Sequence, residues 1–486
     1  MASLLEIRKE RMKKIETLVQ HGMPPYPSVS NRTDSLGELL RNFAKLEKSG
    51  EQKTIAGRVM SMRNHGGSAF FDIFDGTGRL QVFIRKAQVG GDAYQLFLDT
   101  VDLGDFLDVA GKAMVTKVGE KSLLAESWRM LAKSLRPIPT EWYSIKDEES
   151  RLRKRYLDIL LHHETAELIR KKSVFWNTIR TFLLERDFTE VETPVLETTT
   201  GGAEARPFAT HHHALDIDVF LRISAGELWQ KRLMVAGLPR TFEIGRIFRN
   251  EGISHEHLQD YTQLEFYMAY SDYTVGMDMV CELYRTIAKN VLGTTTFTTR
   301  GFSVDVGKKW KTYNFTQLMQ KHYDLDPLAA NEKEIQGALA KHNVTYDMPI
   351  FTKARGIDAL WKNIRKTLDG PGFLIGVPVY LEPLAKRSAA DQRIVERFQV
   401  IIAGSELGKG FSELNDPIDQ RERFVEQQSM RDKGDVESQM ADMEYVEALE
   451  YGMPPTFGFG LSERFFSYLV DKSVREAQIF PLLKQK

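Results

Sequence analysis

From Thr241 to Tyr270 the chain reads TFEIGRIFRNEGISHEHLQDYTQLEFYMAY, two alternating runs on either side of a loop that holds Arg249, Glu251 and His257. Cations, a carboxylate and an imidazole gathered between two strands are the groups that a nucleotide site needs. Because strand side chains alternate between faces, Phe242 and Ile244 point one way while Glu243 and Arg249 point the other. In the second run Leu264, Phe266 and Met268 form an apolar face, and Gln263, Glu265 and Tyr267 lie side by side on the opposite one. A sheet face carrying an amide, a carboxylate and a phenol is a pocket wall more often than a packing surface. The plain alternative is an antiparallel hairpin whose polar face meets water.

The chain has 486 residues, enough for two or more domains with full cores. Its 66 Lys and Arg balance 67 Asp and Glu, so no global field draws it to nucleic acid and any such contact must be local. A single cysteine, Cys281, excludes an intrachain disulfide framework and Cys-based zinc clusters, which fits a cytoplasmic protein. The opening MASLLEIRKERMKKIETLVQ alternates charged and apolar residues at helical spacing without the apolar stretch of a signal peptide. No apolar run approaches membrane-spanning length.

The elements that would position the site divide the chain into three parts. Residues 1–50 read as a basic helix, Ser3 to Gln20, a Pro- and Ser-rich connector and a second helical stretch. Residues 51–140 read as short strands with Gly at the bends, Asp75-Gly76 and Thr77-Gly78 among them, which suggests a five-stranded barrel of the OB type. Such barrels stack bases on aromatic rings beside basic side chains, and the candidates are Phe70, Phe71 and Phe83 with Arg58, Arg63 and Gln81. Phe70 and Phe71 are adjacent and cannot share a face, so at least one is outside the core. Residues 141–486 read as a long mixed α/β region that includes a helical insertion over about 328–390. His211, His212 and His213 are read as strand-edge histidines, since neighbours on one strand cannot converge on one zinc ion.

FRNEG (Phe248 to Gly252), GFSELNDP (Gly410 to Pro417) and GFGLSER (Gly458 to Arg464), in that order, resemble the class II lysyl-tRNA synthetases, and the similarity covers nearly the whole chain. The resemblance implies an α+β fold: an N-terminal OB-fold β-barrel that binds the anticodon through Arg63, Phe70 and Gln81, and an antiparallel catalytic sheet flanked by helices. It implies ATP-dependent formation of lysyl-adenylate, then transfer to the 3′-terminal adenosine of tRNA-Lys, by a homodimer whose interface includes FTEVETPVLE (Phe188 to Glu197). In the first step an anionic carboxylate meets an anionic phosphate, so the site must supply fixed positive charge. The implied catalytic residues are Arg249, whose fork holds both anions, and Arg464. For ATP the resemblance adds Glu251, His257, Tyr261 and Glu406; for lysine it gives Gly202, Glu227, Glu265, Tyr267 and Glu413. Asp416 and Pro417 read as a helix cap and first turn.

The sequence departs from the family pattern in four places, one of them Tyr261, which replaces a common phenylalanine and keeps the stacking face. Magnesium ions that bridge the phosphates want two carboxylates seven residues apart, and here the pair is Gln399 and Glu406. Lys409 replaces an expected asparagine, where it either compensates for lost positive charge or blocks the pocket. One glycine is missing from the run before Arg464. Two rivals stand beside the lysine reading. An aspartyl or asparaginyl enzyme would want Arg or Lys toward a carboxylate side chain, and a catalytically silent paralogue would bind RNA alone.

Overall fold

The computed structural model describes residues 3–484 apart from 140–146, 204, 253, 255, 347–350 and 435–437. The chain forms two compact units, Met1–Lys146 and Asp147–Lys486. The domain boundary expected at 140/141 lies outside the described residues.

In the first unit Ser3 and Glu6 form a reciprocal capping box that starts the helix Leu4–Gln20, and the helices Leu36–Arg41 and Phe43–Ser49 follow. Five strands, β1 (Gln52–His65), β2 (Ser68–Phe74), β3 (Arg79–Arg85), β4 (Phe106–Val115) and β5 (Lys121–Ala132), then close into a barrel in the order β1-β2-β3-β5-β4. Asp75 fixes the β2–β3 turn by accepting from the backbone amides of Thr77 and Gly78. Strict alternation in β2 and β3 sends Phe71, Ile73, Val82 and Ile84 into the core.

Phe70 and Phe83 face outward, directly opposite one another, with their rings stacked 4.2 Å apart. Arg63 is exposed opposite Phe70 on β1, and Gln81 lies in the same outward row as Phe83, its amide donating to Ser122 Oγ at 2.7 Å. Arg58 belongs to another part of the barrel, over the Phe106 ring.

The second unit opens with the helices Glu148–Arg153, Arg155–Leu161 and His163–Leu184. Its strands begin with β6 (Thr189–Glu190), β7 (Leu196–Glu197), β8 (Ala209–His212), β9 (Ile217–Leu221), β10 (Arg240–Phe248) and β11 (Asp260–Ala269). They continue with β12 (Thr296–Thr299), β13 (Phe302–Asp305), β14 (Lys311–Asn314), β15 (Gly372–Ile375), β16 (Arg397–Ile402), β17 (Ser405–Ser412) and β18 (Thr456–Ser462). Eight of them make one sheet in the order β14-β15-β16-β17-β18-β11-β10-β6. Pairing is antiparallel through its middle and parallel at both edges, β14 with β15 and β6 with β10.

The sheet separates two cores. Leu264, Phe266, Phe398, Phe457 and Phe459 pack on one side against Phe175, Val280 and Tyr284 of the helices His163–Leu184 and Tyr273–Leu292. On the other side Tyr267, Leu374, Ile401 and Phe411 join Phe315, Trp361 and Phe424. The region read as a helical insertion is helical only in part. Helices Glu332–Lys341 and Lys353–Arg365 are present, but Gly372–Ile375 is a sheet strand, a four-residue run too short for its period to distinguish the two. Asp416 caps the helix Pro417–Asp432 by accepting from the Ile418 and Asp419 amides, with Pro417 in its first turn. His211 pairs across the hairpin of β8 and β9 with Asp218 at 2.9 Å.

Phe71→Ala should cost the barrel about 3–5 kcal/mol, since it empties a fully buried aromatic site, whereas Phe70→Ala should leave thermal unfolding nearly unchanged. Comparable destabilisation by the two substitutions, read by calorimetry, would remove Phe70 from the exposed face.

Candidate active site

The polar face of β11 is one wall of a cleft. Its first lobe has a volume of about 390 Å³ and is lined by Gly202, Glu227, Glu265, Tyr267, Gln399, Lys409 and Glu413, among others. A second lobe of about 380 Å³ is lined by Glu251, Glu256, His257 and Lys362. Arg249, Tyr261, Glu406 and Arg464 line both lobes, so they mark the place where ligands in the two would meet. Every residue expected to handle the small substrates is therefore in one cleft.

Strand register makes the room. Opposite Glu265 and Tyr267 on β11 stand Gly460 and Gly458 of β18. A Cβ on Gly458 would lie 2.1 Å from Glu413 Oε1 and 2.6 Å from the Tyr267 ring. Gly202, at φ +85°, is confined likewise: a Cβ would come within 2.7 Å of both Glu227 and Ser224. The missing glycine before Arg464 does not disturb this register, because Gln263 pairs with Ser462 and the Glu463 amide donates to the Thr262 carbonyl.

One end of the first lobe is acidic and almost dry. Glu227, Glu265 and Glu413 are 7%, 3% and 1% exposed. Glu265 accepts from the Gln263 amide at 2.7 Å, the Ala225 backbone amide at 3.0 Å and the Tyr267 hydroxyl at 3.1 Å. Glu413 Oε1 is buried with no hydrogen-bond donor among the described residues. Desolvation, with the neighbouring Glu227 charge second, pushes the Glu265 carboxyl up to about 8. Glu413 is also pushed up to about 8 by burial, against the opposing pull of Lys231.

Sequence reasoning missed Lys231. Its ammonium is fully buried, 2.7 Å from Glu227 Oε1 and 2.5 Å from Glu413 Oε2. The available signal was its place one helical turn after Glu227 in the helix Glu227–Val235.

The opposite end is cationic. Arg249 is not tied to Glu243, which pairs with Arg222 and accepts from the Thr193 amide and hydroxyl. Its guanidinium instead donates to the Ile223 carbonyl from Nε and Nη2, both at 3.3 Å, and lies 5.9 Å from the centre of the Tyr261 ring. Arg464 Nε donates to the Glu256 carbonyl at 3.1 Å. His257 is pushed down to about 4 by burial and by Arg464 beside it, so its imidazole is neutral at physiological pH. Glu256 was also missed. Burial raises its pKa, but the Tyr468 hydroxyl, donating at 2.6 Å, and the Arg464 and Arg365 charges outweigh burial and lower it.

The two residues expected to ligate metal have different partners. Glu406 lines the cleft, with Oε1 accepting from the Trp361 indole at 2.6 Å. The Gln399 amide oxygen is engaged by the Arg397 guanidinium, and its amide nitrogen donates to the Gly408 carbonyl at 3.0 Å. Both polar atoms of the Gln399 amide are thus engaged by protein groups, and Glu406 is the carboxylate of the two. Among the described residues no group of three His, Cys, Asp or Glu side chains could hold a metal by itself. A single carboxylate does fit a magnesium ion that takes its other ligands from phosphate and water. Lys409 pairs with Glu382 at 3.2 Å, and Arg397 pairs with the same carboxylate at 3.0 Å. The helix Lys353–Arg365, within the region read from sequence as a helical insertion, supplies Arg355, Asp358 and Trp361 to the cleft.

Residues 147–484 match the family model of class II tRNA synthetases (D, K and N), and residues 53–131 match that of the OB-fold nucleic acid binding domain. The chain is 40% identical over 489 residues to a lysine–tRNA ligase of Thermotoga maritima, a match covering 99% of this chain and 97% of that protein. It is 40% identical over 486 residues to a lysine–tRNA ligase of Fervidobacterium nodosum, covering 99% and 94% of the two chains. A third, from Roseiflexus sp., is 40% identical over 489 residues and covered to 99% in both.

Gly458→Ala should close the acidic end of the cleft. Calorimetric titration should show a loss on the order of tenfold or more in affinity for an amino acid, with ATP affinity kept. Unchanged amino-acid affinity would show that this end is not occupied by substrate.

Proposed function

The chain belongs to the class II tRNA synthetases of the D, K and N branch, in the lysine–tRNA ligase family, and we propose how its cleft performs that ligation. A lysine carboxylate oxygen attacks the α-phosphorus of ATP and pyrophosphate leaves. A hydroxyl of the 3′-terminal adenosine of tRNA-Lys then attacks the acyl carbon of the adenylate, and AMP leaves. The observation that carries the lysine reading is the acidic end: Glu265 and Glu413 are buried together, and Glu413 Oε1 has no hydrogen-bond donor among the described residues. An unpaired buried acceptor costs free energy until a donor arrives, and a lysine substrate brings two ammonium groups. An aspartate-type substrate would place a carboxylate against these glutamates.

Glu413 and Tyr267 receive the ε-ammonium, while Glu227 and Glu265 hold the α-ammonium near Gly202. The substrate carboxylate then points toward Arg249, whose position on the border of the two lobes lets one guanidinium hold carboxylate and α-phosphate in line. Tyr261 stacks on adenine and Glu251 holds its edge. Neutral His257 donates a hydrogen bond toward the γ-phosphate, and Arg464 spans the far phosphates. Magnesium held by Glu406 and phosphate oxygens would offset the polyphosphate charge. Anticodon bases stack on the outer faces of the Phe70–Phe83 pair, since 4.2 Å leaves no space between the rings, and Arg63 and Gln81 flank them. A cytoplasmic homodimer completes the reading, supported by the exposed Val195 and Leu196 in the segment that resembles the family's dimer interface. No helix among the described residues is long and apolar enough to cross a membrane.

ATP–pyrophosphate exchange with each amino acid in turn tests the assignment: lysine should support it, and equal exchange with aspartate would overturn it. Glu413→Gln should weaken lysine use by about 2–5 kcal/mol, because it breaks a buried charge pair and leaves its partner unpaired.

The same carboxylates make lysine binding depend on pH. With Glu265 and Glu413 up to about 8, protons occupy them below that value and must leave when ammonium groups arrive. Lysine KM should therefore fall as pH rises from about 6 to about 8, with ATP KM nearly flat. A lysine KM that is constant across this window would place the carboxylates outside the binding event.

A further inference from the structure

We propose that Lys231 is a positioning residue that sets the charge count of the amino-acid lobe. Once a ligand's ammonium groups have displaced the protons and all three glutamates are ionised, the Lys231 ammonium cancels one of them and leaves two negative charges for the two ammonium groups of a diamino acid. The inference rests on the lysine reading above and explains a mismatch within it, since three carboxylates exceed what one lysine molecule can neutralise.

The geometry supports a role in the site as well as in the scaffold. Lys231 Nζ is shared between Glu227 at 2.7 Å and Glu413 at 2.5 Å, one from each side of the acidic end. It lies 5.9 Å and 5.3 Å from the Tyr267 and Phe411 ring centres, where the π faces favour a cation. The ammonium therefore occupies one oxygen of Glu413 and leaves Oε1, which no described residue hydrogen-bonds, for the ligand. Such an arrangement fixes the direction in which Glu413 presents its remaining acceptor. The charged and titratable groups facing this point are Glu227 from the same helix, Glu265 and Tyr267 from β11, Glu413 after β17, and Tyr445 from the helix Met443–Glu450, with Arg232 behind Tyr445.

Without Lys231 three carboxylates would share a dry pocket with no cation among them. Buried like charges do not stay ionised together, so Glu265 and Glu413 would take up protons across the physiological range. Both are already pushed up to about 8 with the ammonium in place. A protonated carboxyl that faces an ammonium puts a donor against a donor, and lysine is lost while ATP binding is untouched.

The test is ATP–pyrophosphate exchange by Lys231→Met, of similar length and uncharged, followed from about pH 6 to about pH 9, with thermal unfolding as a check on the fold. Lysine KM at pH 7 should rise on the order of tenfold, the rise should shrink toward high pH as the carboxylates ionise, and ATP KM should stay within about twofold. A second variant, Glu227→Gln with Lys231→Met, restores the charge count. Its pH midpoint for lysine KM should return to that of the wild type even if contact with Glu227 is lost, and this holds whether or not the single variant folds. An unshifted midpoint in Lys231→Met, a rise in lysine KM that is equal at every pH, or a double variant displaced to alkaline pH would overturn the role of Lys231. Wild-type protein that exchanges with another amino acid and not lysine would instead overturn the lysine reading itself.

Discussion

Burying three carboxylates on one side of a β-sheet is the electrostatic problem around which the catalytic unit is arranged. Desolvating one such anion without a partner costs several kcal/mol. Each glutamate accordingly has its own compensation. Glu265 accepts from two side chains and a backbone amide, and Glu227 and Glu413 share the Lys231 ammonium. The compensation is incomplete, since Glu413 Oε1 has no donor among the described residues and both Glu265 and Glu413 are displaced well above the usual carboxylate range. A site left short of donors in this way has a built-in affinity for ammonium, because the ligand relieves a cost that folding imposed.

The rest of the unit keeps that acidic end apart from the cationic one. The central strands carry large apolar side chains toward the helices Tyr273–Leu292 and His163–Leu184, and this packing fixes which residues can face the cleft. On the cleft side, Gly458 and Gly460 stand opposite Tyr267 and Glu265, so volume opens where the register would otherwise place side chains. On the same face, directly opposite Glu265 on β10, the Arg222–Glu243 pair does a related job. Glu243 is engaged by Arg222 and Thr193, and Arg249, just past the end of β10, donates instead to the Ile223 carbonyl at the border of the two lobes. The cleft is thus polar along its length, anionic at one end and cationic at the other.

What could be read from the sequence was whatever depends on local period. Alternation in β11 separates Leu264, Phe266 and Met268 from Gln263, Glu265 and Tyr267, and the same rule divides Phe71 from Phe70. Asp416 and Pro417 announce a helix start by chemistry confined to a few residues. What could not be read depends on contacts distant in the chain. Lys231 looks like one more helix lysine until Glu413, far away in sequence, meets it; Trp361 sits in an amphipathic helix and gains its meaning only from the carboxylate of Glu406. The strand Gly372–Ile375 was hidden for a different reason. Four apolar residues fit a buried helix as well as a strand, and only pairing to β14 and β16 decides between them.

The amide at position 399 shows how such long-range pairing revises a local inference. By residue type, Gln399 is a weakened metal ligand. In place, its oxygen meets Arg397, Arg397 and Lys409 both meet Glu382, and Glu382 is held ionised: burial would raise its pKa, but the Arg397 and Lys409 charges outweigh burial. A carboxylate at position 399 would face the same guanidinium and draw it from Glu382, so the neutral amide and the two cations are consistent with one another. Lys409 is partly exposed and rests against Glu382 and the Phe411 ring, on the wall of the cleft near the acidic end. It neither plugs the lobe nor stands unpaired. Positive charge on this wall therefore comes from side chains fixed by a common buried anion.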